Sequence, residues 1–260
     1  MTTAPAIVVE DTVFTYAKTG WQFGPVSLAI QGGKMTGLIG PNGSGKSTFL
    51  SILSRRMHGR GRMTLLGRAA RSFSAREWAQ TVAYLPQQIV IEYDFSVEET
   101  AAFGRFPHSG MTGFLTHHDR DVIERCLEET EMAGLRGRLL SELSGGERQR
   151  AHLAAVLAQE PRVLFLDEPT TALDIHHQIA FHSVLRGCAD NGITVVLATH
   201  DLTLAAQFCD ELVLVAGGTV KRSGPPTEVI TQDVIQDVYG ANVSVITHPQ
   251  SGKPVVVANR

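Results

Sequence analysis

Residues 40–48 read GPNGSGKST, and this short stretch decides the fold class. Gly40, Gly45, Lys46 and Ser47 stand at the G-x-x-x-x-G-K-[ST] spacing of a phosphate-binding loop (P-loop). The apolar run MTGLIG leads into the loop, and the helix-forming run STFLSILSRR begins within it. Strand, glycine loop and helix in that order are typical of nucleotide-binding α/β proteins. We therefore predict an α/β fold that binds a nucleotide.

The chemistry of this loop follows from its residue types. Glycines let backbone N–H groups curl around the β-phosphate, Lys46 reaches the β- and γ-oxygens, and the Ser47 hydroxyl is a magnesium ligand. The alternative is a glycine turn that only caps a helix. We expect ATP to contact the rest of the loop as well, at Asn42, Gly43, Ser44 and Thr48.

Three further strand ends carry groups suited to phosphate chemistry. VLFLDE delivers Asp167, which would hold magnesium through water, and Glu168, which would orient or deprotonate the attacking water. His200 follows the strand ITVVLAT and would hydrogen-bond the γ-phosphate, while the Gln87 amide after AYLP would reach magnesium or water. The alternatives are a solvated helix start, a capping or core histidine, and a loop glutamine. No NKxD-like guanine reader is present, which disfavours a GTPase.

Composition excludes several classes of function. A formal net charge of -3 gives no basic field for nucleic acid, and RRMHGRGR at residues 55–62 is interpreted as a solvated basic loop. Three cysteines without CxxC spacing indicate neither disulfides nor a zinc site, and favour a reduced, cytosolic interior. The apolar runs are far shorter than the ~18 residues that span a bilayer, so membrane association is expected only through a partner.

A second anion socket is predicted at LSGGERQR, residues 143–150. Ser144 and Glu147 have capping-box spacing, so the stretch could simply begin a helix. That alternative does not require Gly145 and Gly146, which are useful mainly where something approaches the backbone closely. A helix N-terminus attracts phosphate, and the P-loop already serves the chain's own nucleotide. We therefore expect two copies packed head to tail, each completing the other's site in trans.

The motifs GPNGSGKST, LPQ, LSGGERQR, VLFLDEP, TALD and ATHD, in that order, resemble the ATPase subunit of an ABC transporter from about residue 7 onward. The resemblance implies a RecA-like P-loop core and an antiparallel β-subdomain in residues 1–87 with 160–240, an inserted helical subdomain carrying the signature in 88–159, and a short tail in 241–260. Tyr16 matches the aromatic that stacks on adenine; a core or edge-strand tyrosine is the alternative, and Trp21 is a less favoured substitute. Asp174 in TALD would lie at the dimer seam, or cap the following helix.

The resemblance also implies partners and cofactors. ATP and Mg2+ are the expected ligands, with Ser47, Gln87 and Asp167 around the metal. The expected partners are a second copy, integral membrane permease subunits contacted by the segment after Gln87, and indirectly a substrate-binding protein, on the cytoplasmic face of the inner membrane; no nucleic acid is expected. AAFGRFPHSG, TALDIHHQ and VYGANVSVITHPQSGKP are most similar to importers of ferric siderophores of the ferrichrome type. Haem or cobalamin import is the alternative, and a soluble ABC ATPase without a permease is a further one.

Overall fold

The computed structural model describes residues 4–89, 93–109, 114–171 and 173–259. Its strands are β1 (Pro5–Thr15), β2 (Gln22–Gln31), β3 (Met35–Ile39), β4 (Arg60–Leu65), β5 (Arg68–Ala69), β6 (Val82–Leu85), β7 (Val163–Asp167), β8 (Thr194–Ala198), β9 (Glu211–Ala216), β10 (Thr219–Gly224), β11 (Val243–Thr247) and β12 (Pro254–Ala258). Its helices are α1 (Lys46–Leu53), α2 (Ala75–Thr81), α3 (Val97–Phe103), α4 (His117–Glu129), α5 (Gly145–Ala158), α6 (Ile175–Asp190), α7 (Leu202–Phe208), α8 (Pro226–Val229) and α9 (Gln232–Tyr239). The chain forms two compact units, Met1–Ser72 with Cys188–Arg260, and Phe73–Gly187.

The first unit contains an antiparallel sheet with the strand order β2-β1-β4-β5. β1 and β2 are rich in β-branched residues, and they pair antiparallel as the sequence predicted, from Pro5 opposite Gln31 to Thr15 opposite Gln22. β4 lies on the other side of β1. This sheet places the turn between β1 and β2, which carries Tyr16 and Trp21, beside the P-loop.

The same unit holds the strands that carry the P-loop. β3 lies between β8 and β9 and is parallel to both, and β10 pairs antiparallel with β9. Every residue of β3 and β8 is buried, as expected for strands covered on both faces. The helix after the P-loop ends at Leu53, three residues before the predicted end, because Arg55 adopts a left-handed conformation with φ of 60°. The predicted tail is a hairpin of β11 and β12, and β12 packs on α7.

The second unit pairs β6 with β7 in parallel and carries helices α2 to α6. Four helices of this unit begin with a capping box in which both hydrogen bonds are present: Ser74/Glu77, Ser96/Glu99, Thr116/Asp119 and Ser144/Glu147. The last of these confirms the capping box predicted at the signature segment. Among the described residues of 88–159 there are helices and short 3-10 turns but no strand. No helix in the described part of the chain is long and apolar enough to cross a bilayer.

Candidate functional site

The P-loop follows β3 as a tight turn, and its first residue must be glycine. Gly40 has φ of 148°, and a Cβ there would lie 2.0 Å from the carbonyl oxygen of Val215. The Lys46 ammonium folds back over the loop and donates to the carbonyl oxygens of Gly40 at 2.9 Å and Pro41 at 3.3 Å. The buried Ser44 hydroxyl has no hydrogen-bond partner among the described residues. An orphaned hydroxyl beside a lysine and a helix N-terminus fits a loop built to receive phosphate oxygens.

His200 lies at the same sheet edge as the P-loop. β3 and β8 are paired so that Leu38 is opposite Ala198, and Thr199 N–H donates to the Leu38 carbonyl at 3.0 Å. Gly40 and His200 therefore each stand two residues beyond a paired position. His200 is exposed, and Asp201, not His200, caps α7 by accepting from Leu204 N–H at 2.8 Å. Both structural alternatives for His200, a helix cap and a core histidine, are thus wrong.

The second unit brings Gln87 and Glu168 together by the same kind of register. Leu85 is opposite Leu166 in the parallel pair of β6 and β7, so Gln87 and Glu168 each follow by two residues. The Gln87 amide nitrogen donates to Glu168 Oε2 at 3.4 Å. The Tyr84 hydroxyl donates to Asp167 Oδ2 at 3.2 Å, a contact that no sequence pattern indicated. The structure therefore holds both carboxylates in place with neutral hydrogen-bond donors.

Glu168 is also conformationally unusual. Its φ is 44°, in the left-handed region that a non-glycine residue rarely occupies. The Thr171 hydroxyl donates to its backbone oxygen at 3.1 Å and lies 3.4 Å from Oε2. α6 begins only at Ile175, so the interpretation of this pair as a solvated helix start is wrong. A strained backbone conformation at an acidic residue is typical of functional positions.

Two aromatic side chains adjoin the P-loop and its helix. The Tyr16 hydroxyl lies 3.0 Å from Thr48 Oγ1, and the ring centroids of Tyr16 and Trp21 are 5.9 Å apart. Gly45 has φ of 108°, and a Cβ there would lie 2.8 Å from Phe23 Cδ2 and 2.9 Å from Trp21 Cη2, so both the backbone and these rings require glycine. Tyr16 is half-buried, and it is therefore neither a fully packed core residue nor remote from the loop.

The signature segment begins α5 with a closed capping box. Glu147 N–H donates to Ser144 Oγ at 3.3 Å, while Glu147 Oε2 accepts from Ser144 N–H at 2.8 Å and from Ser144 Oγ at 2.7 Å. These hydrogen bonds from the Ser144 side chain and backbone lower the pKa of Glu147. A Cβ on Gly145 would meet nothing within 4 Å, so the backbone there faces open space.

Gly146 has a reason for being glycine that the sequence reasoning missed. A Cβ there would lie 3.1 Å from Cδ2 of His177, so it is an imidazole of the same chain that approaches this backbone. His177 in turn donates its backbone N–H to Asp174 Oδ1 at 2.9 Å, and its Nδ1 lies 2.8 Å from Asp174 Oδ2. Both hydrogen bonds lower the pKa of Asp174, and the one from the His177 backbone has the larger effect. The interpretation of Asp174 as the N-cap of α6 is confirmed, and no sequence pattern pointed to the His177 contact.

Comparison with known proteins places these motifs in a family. The family described as ABC transporter matches residues 23–171. The chain is 40% identical over 232 residues to the iron(3+)-hydroxamate import ATP-binding protein FhuC of Bacillus subtilis (strain 168), covering 88% of this chain and 86% of that protein. It is 40% identical over 236 residues to the hemin import ATP-binding protein HmuV of Streptomyces coelicolor, covering 90% and 84%. The dimeric structure of MJ0796, a bacterial ABC transporter cassette, matches with a TM-score of 0.74 at 25% identity, over 84% of this chain and 98% of that one.

Proposed function

The chain belongs to the ABC transporter ATP-binding family, and from that membership we propose that it powers an importer of ferric siderophores of the hydroxamate type. Proteins of this family that serve importers hydrolyse ATP. The observation that favours the assignment most is the conjunction, in one chain, of a P-loop with an orphaned Ser44 hydroxyl and a signature helix whose first glycine faces open space. The cargo is proposed from the names of the two curated relatives, and haem or cobalamin is the alternative.

The proposed chemistry assigns one role to each polar group. Lys46 and the loop amides bind the β- and γ-phosphates, and Glu168 accepts the proton of the water that attacks the γ-phosphorus. Gln87 holds the Glu168 carboxylate through its amide, and His200 donates to a γ-phosphate oxygen. The bond between the γ-phosphorus and the β–γ bridging oxygen breaks, and ADP leaves. The positive end of α1 offsets the negative charge that develops on the β-phosphate.

Magnesium fits the oxygen donors available. The Ser47 hydroxyl, the Gln87 amide oxygen and the Asp167 carboxylate, the last through water, are hard ligands of the kind that Mg2+ prefers, alongside substrate phosphates. When bound, the ion neutralises phosphate charge. The Tyr84 hydroxyl then fixes the orientation of Asp167.

A head-to-tail homodimer completes each nucleotide site in this proposal. Cassettes of this family dimerise, as the matched MJ0796 structure does. Gly145 faces open space and stands at the positive end of the 14-residue helix α5, so its N–H is available to a phosphate from outside the chain. Asp174 lies on the next helix start, tied to Gly146 through His177, and is proposed to face the dimer seam.

Exposed aromatic residues support docking to a permease after Gln87. Phe103 stacks on Phe106 with ring centroids 5.6 Å apart, and Phe95 meets Phe103 edge-on at 4.8 Å. Phe106 is 65% exposed and Tyr93 is 73% exposed. Apolar rings exposed together mark an interaction surface. We assign this surface to docking on the permease, at the cytoplasmic face of the membrane. In the proposed division, residues 88–159 form the helical subdomain, residues 1–87 with 160–240 form the β-subdomain and RecA-like core, and residues 241–260 form the tail. A substrate-binding protein would act only indirectly, through the permease.

Two substitutions test the ATPase assignment. Glu168→Gln removes the base but keeps the contact with Gln87, and it should trap an ATP-bound dimer that sediments as such; Glu129→Gln, on the exposed face of α4, is the control. Ser144→Arg should leave ATP binding intact and abolish turnover. ATP-loaded monomers of Glu168→Gln, or loss of ATP binding in Ser144→Arg, would count against the proposal.

The cargo is tested by uptake in cells that co-express the matching permease. Radioactive ferric hydroxamate should accumulate with the wild-type chain and not with Glu168→Gln. Accumulation of haem or cobalamin in its place would assign the alternative cargo. If the chain never co-purifies with a membrane subunit, the soluble ABC ATPase becomes the better assignment.

A further inference from the structure

A basic cavity lies in the first unit, at the end of α1 opposite the P-loop. Its volume is about 400 Å³, and it is bounded by the end of α1, the start of β4 and the 3-10 turn Ala70–Ser72. Four arginines line it, Arg55, Arg60, Arg62 and Arg71, and none of the residues described around it is acidic. This is the stretch that the sequence analysis interpreted as a solvated basic loop. Residues 58–62 are exposed, as that interpretation expects, and they also line one concavity.

One wall of the cavity is a closely packed stretch of backbone. Gly61 has φ of 114°, and a Cβ there would lie 2.7 Å from the carbonyl oxygens of Glu10 and Asp11, so the chain is pressed against β1. Arg60 and Arg62 flank Gly61 on β4, and both line the cavity.

Arg55 is fixed from the other side. It adopts φ of 60°, rare for a residue with a side chain, and its Nη1 donates to the Ala70 carbonyl at 3.0 Å. That contact anchors the Arg55 guanidinium to the backbone of the 3-10 turn that also carries Arg71. Positive charges that line one cavity repel each other unless an anion offsets the repulsion.

The charges are only partly compensated within the chain. Arg62 Nε donates to Glu10 Oε2 at 2.7 Å. No carboxylate among the described residues pairs with Arg60 or Arg71. The cavity is therefore lined by cationic donors suited to a ligand with two or more negative charges. Guanidinium groups bind phosphate oxygens in a bidentate manner.

We propose that this cavity is a second anion site, separate from the P-loop, for a small phosphate-bearing ligand. Its volume suits a compact polyanion or a lipid headgroup, not a nucleic-acid backbone, which needs an extended basic track. One wall connects it to the nucleotide loop: Met57 Sδ lies 3.8 Å from the Tyr16 hydroxyl, which also contacts Thr48 of α1. Occupancy of the cavity should therefore alter ATP affinity, and this effect, unlike the binding itself, rests on the proposed function.

The test is calorimetric titration of inorganic tripolyphosphate into the full chain carrying Lys46→Ala, which disables the P-loop as a competing site. One site should be seen, and adding Arg60→Gln with Arg71→Gln should weaken it at least about tenfold, because two charge-assisted contacts are lost. Lys221→Gln with Arg222→Gln, two exposed cations of β10 in the same unit, is the matched control and should leave the affinity unchanged. Both pairs are exposed, and unchanged melting temperatures would exclude misfolding.

A second arm distinguishes the source of the phosphate. If phosphatidic acid vesicles, whose phosphomonoester can carry two negative charges, displace tripolyphosphate and phosphatidylcholine vesicles do not, the ligand is a headgroup. If neither does, it is a soluble phosphate, and the anion site stands in both cases. Equal weakening in the two double variants would overturn the proposal, because it would reveal unspecific attraction. The absence of a tripolyphosphate site in the Lys46→Ala chain would overturn it as well, without bearing on ATP hydrolysis.

Discussion

Replacing Arg105 with methionine should destabilise the second unit far more than replacing Arg125 does. Arg105 is 2% exposed, and its Nε donates to Asp119 Oδ1 at 2.8 Å. Its Nη1 donates to the Ala158 carbonyl at 2.7 Å and to Glu160 Oε2 at 2.9 Å. This guanidinium thereby joins the end of α3, the start of α4 and the end of α5. Arg125 contacts the same Glu160, at 3.0 Å, but its side chain is 53% exposed.

The difference in exposure sets the magnitude. Arg105→Met leaves the buried Asp119 carboxylate without its cation, and losing one partner of a buried pair costs about 3–5 kcal/mol. That corresponds to about a 150- to 5,000-fold loss in the folding equilibrium constant. Arg125→Met removes an exposed pair, which is worth at most about 1 kcal/mol.

Urea denaturation measures both variants under one condition. Trp78 lies in the same unit as Arg105, and a Trp21→Phe background makes its fluorescence report on that unit alone. The free energy of unfolding should fall by several kcal/mol in Arg105→Met and scarcely change in Arg125→Met. Equal and small losses in the two variants would refute the idea that one buried guanidinium holds the three helices together.

Three further predictions concern pH, adenine and the signature. Burial, and to a smaller extent the positive charge of Arg148, lowers the pKa of His152 from 6.5 to about 4. Between pH 6.5 and 4 the imidazole is therefore protonated in the unfolded chain but not in the folded one. The free energy of unfolding should fall by about 1.4 kcal/mol per pH unit as the pH drops through this range. His152→Leu should remove that slope in urea curves at pH 7, 6 and 5, and an unchanged slope would contradict the assignment. Tyr16→Ala should raise the KM for ATP by about 5- to 150-fold and Tyr16→Phe should leave it nearly unchanged, since stacking is worth about 1–3 kcal/mol; a larger effect of Trp21→Ala would transfer the role to the indole. Glu147→Gln keeps an acceptor for Ser144 N–H but removes the charge at the N-terminus of α5, so it should lower the melting temperature slightly and leave ATP binding intact; loss of ATP binding would show that Glu147 acts on the nucleotide directly.

Local features were predictable because their partners are close in sequence. The capping boxes span three residues, and the P-loop is a contiguous pattern between a buried strand and a helix, so each could be identified without tertiary structure. The site residues at strand ends were predictable for a related reason. Parallel strands end at one edge, and Gln87 and Glu168 follow paired positions by the same number of residues. A short apolar run followed by a polar residue was therefore enough to predict which residues lie at the site.

Contacts between distant segments could not be predicted from one sequence. The His177 ring lies against Gly146, and Arg105 reaches Glu160 across 55 residues; both depend on how helices pack. The cavity beside the basic stretch 55–62 could not be predicted for the same reason, because it needs Ala70 and Arg71 as an opposite wall. Even the end of α1 depended on a left-handed Arg55, which no helix propensity indicates.

The most direct test of completion in trans is a cross-link between two positions that should share one nucleotide. Asn42 is exposed in the P-loop and Gly145 faces open space, whereas the natural cysteines Cys126, Cys188 and Cys209 are buried and will not compete. A chain carrying Asn42→Cys, Gly145→Cys and Glu168→Gln should be oxidised, with ATP, to a covalent dimer of twice the chain mass, and neither single cysteine should suffice. A disulfide that closes within one chain and leaves it monomeric would contradict the account.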